Sequence, residues 1–137
     1  MEVFLVKTKL CVAIVGLGLL IAAAPVAAHH AFAAEFDVNK PVKVNGTVTK
    51  LDFVNPHAWL HVDVKEADGS VVKWRFELGA PNALLRLGWK VDTVKPGTPV
   101  EIEGFRAKAG GPTANGRSIK LADGRELFSG GSTPSVR

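Results

Sequence analysis

From Ala58 to Leu78 apolar and polar residues alternate on both sides of a single turn, a pattern that suits only strands with one buried face. Over Ala58–Glu66, residues Ala58, Leu60, Val62 and Val64 form one side and Trp59, His61, Asp63 and Lys65 the other. Asp68-Gly69 is a strong hairpin signal, and after it Val72, Trp74, Phe76 and Leu78 face inward against Lys73, Arg75 and Glu77. Upstream, Val42, Val44, Val48, Leu51 and Phe53 alternate with Lys and Thr, and the parity shifts around Lys50. This predicts one long bent strand over Pro41–Phe53. Asn45-Gly46 lies inside it without interrupting the pattern, so Gly46 is expected to relieve crowding at a curve or bulge. Asn55-Pro56 ends the strand, because proline has no N–H for a ladder.

Downstream, Gly79-Ala80-Pro81 breaks the alternation. Leu84, Leu85 and Leu87 then have the spacing of two helical turns over Asn82–Leu87, stopped by Gly88. Pro99–Ala107 predicts a fourth strand with Val100, Ile102 and Phe105 inward, and Gly110–Gly116 a flexible loop. Ile119 and Leu121 begin a closing strand pair that turns at Asp123-Gly124, and the Gly/Ser/Pro-rich tail Ser129–Arg137 is expected to be disordered. Three half-apolar strands cannot be covered by one two-turn helix, so the sheet must roll onto itself. The expectation is a mainly β, OB-fold-like five-stranded barrel over residues 41–128, with one short helix between strands 3 and 4; a flat sandwich is the alternative.

Residues 1–28 read as an export signal: Lys7 and Lys9, a charge-free apolar run from Leu10 to Ile21, then Val26-Ala27-Ala28 at a cleavage site. The apolar run is too short for a bilayer core of about 30 Å, so no membrane anchor is expected after cleavage. Removing 28 of 137 residues leaves 109, one small domain preceded by an arm over residues 29–40. The only cysteine, Cys11, lies in the leader, so the mature chain has no thiol for disulfide, zinc–cysteine or nucleophilic chemistry. The leader also carries Lys7, Lys9 and Glu2, which leaves 15 basic against 12 acidic residues scattered along the chain. That is not the clustered footprint of a nucleic-acid binder.

The four histidines, His29, His30, His57 and His61, are the candidate soft-metal ligands. After cleavage at Ala28, His29 offers a free amine and an imidazole to one ion, a chelate that suits copper(II), with His30 beside it. His57 and His61 are four residues apart on a strand, so their backbones are about 13 Å apart and do not readily share an ion. His57, at the Asn55-Pro56-His57 corner, is the better third ligand and His61 the runner-up. A plain reading stands beside this: a polar start to the mature chain, a His57 that caps a turn, and a His61 that fills an outward strand position.

Asn55, Trp59 and Arg75 mark a second candidate surface, an outward face of strands 2 and 3 where OB-folds commonly take oligomeric ligands. A periplasmic protein or a polymer is the partner it suggests. Against it stands a plain reading in which Trp59 covers a sheet edge or packs beneath the helix, and Trp74 and Trp89 are expected in the core. Phe32 and Phe36 are expected to dock the arm on the barrel. Glu35 with Asp37, and Asp63 with Glu77, are conceivable carboxylate pairs, yet each is explained by surface charge. No nucleophile elbow or phosphate-cradling glycine motif occurs, so the chain reads as non-catalytic.

Three stretches, His29-His30-Ala31-Phe32-Ala33-Ala34-Glu35-Phe36-Asp37, Phe53-Val54-Asn55-Pro56-His57 and Trp74-Arg75-Phe76-Glu77, resemble a family of small exported bacterial proteins known only as a domain of unknown function. The resemblance implies a periplasmic, Gram-negative setting and transfers no activity, substrate or catalytic residue.

Overall fold

The computed structural model describes residues 32–130. It is mainly β: β1 (Phe36–Asp52), β2 (Trp59–Lys65), β3 (Val71–Glu77), the short helix α1 (Pro81–Arg86), β4 (Pro99–Ala107), β5 (Thr113–Leu121) and β6 (Glu126–Phe128). All six strands belong to one sheet in the order β3-β2-β1-β4-β5-β6. Neighbours are antiparallel, and β3 also pairs in parallel with β5 through Arg75–Thr113, Phe76–Ala114 and Glu77–Asn115. Among the described residues no helix is long and apolar enough to cross a membrane.

The alternation fixed the inward face. Ala58, Leu60, Val62, Val64, Trp74, Phe76 and Leu78 are all buried, joined by Leu84, Trp89, Ile102 and Ile119 in one continuous core. The parity shift read around Lys50 is a register irregularity between Val48 and Lys50 against β2. Gly46 meets the crowding expected of it, since a Cβ there would stand 2.5 Å from Val62 and 2.6 Å from the Asp63 carbonyl. The bulge itself lies three residues further on.

Several expectations need correction. β1 starts at Phe36 rather than Pro41, because the arm continues into the ladder beside β4, pairing Phe36 with Ala107. The expected loop over Gly110–Gly116 is shorter: Thr113 to Gly116 belong to β5, and Asn115 and Gly116 are buried. Gly110 and Gly111 are turn formers with positive φ, as expected, whereas Gly116 serves close approach. A Cβ on Gly104 would fall onto the Asn115 carbonyl oxygen, so the two strands meet this closely only without one. Phe105 does not point into the core: the inward parity of β4 runs Val100, Ile102, Gly104, so Phe105 falls on the other side, toward the arm.

The helix starts one residue earlier than expected, with Pro81 at its first turn, where a missing N–H costs nothing. Of its leucines only Leu84 is buried; Leu85 and Leu87 are exposed. The expected disordered tail begins too early as well. The Ser129 hydroxyl donates to the Gly116 carbonyl, and the Ser129 carbonyl accepts from the Gly79 N–H at 2.7 Å, so Ser129 is part of the packed structure. Residues 131–137 lie outside the described range.

Candidate functional site

The turn between β1 and β2 is held against the end of β3 by two backbone hydrogen bonds. The Ala58 N–H donates to Gly79 at 3.1 Å, and the Leu78 N–H donates to Ala58 at 2.8 Å. This brings the residue before Ala58 beside the last residue of β3: Nδ1 of His57 stands 3.2 Å from Oε1 of Glu77. The two side chains are 42% and 11% exposed, so the carboxylate is covered and the imidazole is half open. Burial pushes the Glu77 carboxyl above its ordinary range; His57 pulls it down, and Glu35 pushes it further up.

Glu35 belongs to the arm. Residues 32–35 form a helical turn whose Phe32 ring packs against Phe36 at 5.5 Å and edge-on against Phe105 at 6.1 Å. The Lys108 N–H donates to the Glu35 carbonyl at 2.8 Å, and the Lys108 ammonium to the Ala33 carbonyl at 2.6 Å. Aromatic packing and two hydrogen bonds thus hold the arm on the outer side of β4 and β5, as the two phenylalanines suggested. Asn115 pairs with Phe105 on one side and with Glu77 on the other. It is only 2% exposed, and its Oδ1 has no hydrogen-bond partner. A buried acceptor without a donor is costly and uncommon.

His61 has a different setting. Its Nε2 lies 3.0 Å from Oδ2 of Asp52, whose other oxygen takes the Lys50 ammonium at 2.7 Å. Lys50 chiefly, and His61 after it, hold the Asp52 carboxyl below its ordinary range. His57 and His61 therefore each have a carboxylate of their own. Among the described residues no three of His, Cys, Asp and Glu gather closely enough to hold a metal ion. His29 and His30 lie outside the described residues.

The second candidate surface is partly assembled. Arg75 carries its guanidinium 5.1 Å from the centre of the Trp59 ring, a cation–π contact between β2 and β3. Trp59 is half-buried, and one face of its ring is already occupied. A cleft of about 350 Å³ opens next to it, lined by His61, Asp63, Lys73, Arg75, Pro112 and Thr113 among others. Asn55 is exposed on the turn, away from any cleft described above. Trp74 and Trp89 are core residues, with the Trp89 indole N–H donating to the Phe128 carbonyl at 3.0 Å.

Sequence reasoning passed over two residues of the His57 cluster. Glu77 alternates correctly as an outward residue, so it read as surface charge with Asp63 as its conceivable partner. Its actual neighbour is His57, and its side chain is buried. Asn115 lay in a glycine-rich stretch that reads as loop. Only its place between Gly104 and Glu77 reveals it.

The model of a family of unknown function, DUF6152, matches residues 17–116. The chain belongs to that family. The matched span takes in the arm, His57, Glu77 and Asn115, so the whole cluster lies in the part that defines membership. No curated protein and no solved structure matches the chain.

Proposed function

We propose that this member of the family is a non-catalytic periplasmic binding module, exported by its leader, that takes up copper(II) or a similar divalent ion through His29 and His30 with His57 as third ligand. The observation that carries the reading is the His57–Glu77 contact at 3.2 Å. Metal-bound histidines usually give their second ring nitrogen to a carboxylate, which fixes the tautomer and the ring orientation. An Nδ1–H donated to Glu77 leaves Nε2 of His57 as the nitrogen that can ligate. His61 is the weaker candidate, because Asp52 is shared with Lys50.

The arm supplies the second support. Phe32 is buried against Phe105, and Phe105 is in register with Asn115, the residue opposite Glu77. His30 is two residues from that anchor, a tether of at most about 7 Å, and His29 one residue further. A free amine at His29 then has a short reach to the His57 corner. The pairing circuit β1-β2-β3-β5-β4, with α1 between β3 and β4, supports an OB-fold-like barrel as the scaffold.

Titration calorimetry with copper(II) tests the reading on three proteins: the processed protein, the same protein with one extra residue before His29, and His57→Ala. Copper is expected to bind the first more tightly than either of the others. Equal affinities for all three sink the terminal chelate. A second reading is an interaction domain for a periplasmic protein or a polymer; the Trp59–Arg75 contact and the cleft beside it favour this.

A further inference from the structure

Seven large apolar side chains are exposed among the described residues, and four of them sit together at one end of the molecule. Leu85, Leu87 and Val91 lie on α1 and the segment after it, and Phe128 ends β6. The two elements are joined there, because the buried Trp89 donates its indole N–H to the Phe128 carbonyl. Leu87 also packs toward Gly130, two residues past Phe128; a Cβ on that glycine would stand 3.0 Å from a Leu87 methyl. The four are between 53% and 71% exposed, so they project outward instead of lining a groove.

Nothing in the helix requires this. A two-turn helix needs one apolar stripe, and Leu84 provides it together with Trp89 beneath. Leucines at 85 and 87 turn a second apolar side outward. Cations outnumber acids around them: Arg86, Lys90 and Lys95 are exposed and, among the described residues, none of them is in an ion pair, against Asp92 in the same segment and Glu126 on the Phe128 side of β6. Arg125 and Asp123, close to this end, neutralise each other at 2.8 Å.

Apolar tips that protrude beside three cations free of ion pairs among the described residues have the chemistry of an interfacial contact: the side chains enter the headgroup region and the cations stay with lipid phosphates. Four half-exposed side chains offer a few hundred Å², short of the roughly 800 Å² that each partner gives to a stable protein interface. We infer that the end formed by Leu85, Leu87, Val91 and Phe128 docks reversibly on an anionic lipid surface. This does not depend on the metal reading, because the His57–Glu77 cluster shares none of these residues.

Co-sedimentation of the purified, processed protein with vesicles of phosphatidylethanolamine and phosphatidylglycerol tests the inference, with phosphatidylcholine vesicles as the neutral arm. Binding to the anionic vesicles is expected, about tenfold or more above the neutral ones, and it should weaken as salt rises. The double variant Leu87→Ser with Val91→Ser should lose at least about tenfold in partitioning. Lys90→Glu should lose several-fold, and Val71→Ser, which removes an exposed side chain elsewhere, should bind like the parent. Circular dichroism confirms that each variant is folded. Failure to sediment with anionic vesicles, or sedimentation that ignores both the double variant and Lys90→Glu, overturns the inference. So does a concentration-dependent dimer that the double variant abolishes, since the patch would then be an interface between copies.

Discussion

His57–Glu77 and His61–Asp52 are the same chemical pair placed twice, one at each end of the β2 entry, and their surroundings drive the two carboxylates in opposite directions. Glu77 is buried, and desolvation outweighs the pull of His57, so its carboxyl lies above the ordinary range. Asp52 is open to solvent and shared between Lys50 and His61, so its carboxyl lies below. A histidine–carboxylate contact therefore says little about electrostatics until its cover is known. Burial, more than the imidazole, makes the first pair unlike the second.

Removing that cover should have the largest effect. Phe32→Ala deletes a buried ring from the Phe32–Phe36–Phe105 cluster and is expected to cost about 2–4 kcal/mol in urea unfolding. It should also return the Glu77 carboxyl toward its ordinary range, as read by NMR titration. If the stability falls and Glu77 does not move, the arm is not what desolvates it.

The two histidines should then separate. His57→Ala leaves a covered carboxylate without its partner and is expected to cost about 1–2 kcal/mol at neutral pH. His61→Ala leaves Asp52 still paired with Lys50 near the surface and should cost less than about 1 kcal/mol. Equal losses by chemical denaturation would erase the distinction between the pairs.

Asp52→Asn should give the smallest change and one with a definite pH course. A carboxyl held low in the folded state stabilises it above the unfolded pKa of about 3.9 and loses that contribution as pH falls through the folded value. The variant's melting temperature should therefore be below the parent's at neutral pH, and the two curves should converge in acid. A constant gap at all pH values would mean that Asp52 acts through packing.

Much of the sheet was legible from residue types. Alternation gave the inward faces of β2 and β3, the parity slip gave the irregularity after Val48, and Asp68-Gly69 and Asp123-Gly124 gave their turns. The candidate site was only half legible. His57 stands out as a histidine at a proline corner, whereas Glu77 follows the outward parity of a surface strand and Asn115 sits among glycines that also suit a loop. Phe105 misled for another reason: its aromatic ring suggested core, whereas strict alternation from Val100 and Ile102 puts Gly104 inward and Phe105 on the other side.

What the sequence determined alone is what neighbours in the chain decide: strand parity, turn positions, the glycine stop of α1, and the lack of any cysteine after Cys11. The tertiary structure decided which outward residues meet. Glu77 and Asn115 are 38 positions apart in the chain and come together only through the parallel β3–β5 pairing, and Glu35 reaches them only because the arm runs into β1. Local periodicity says which way a side chain points. Long-range backbone pairing and aromatic docking settle what lies opposite it, and here they turned a solvent-side carboxylate into a covered one.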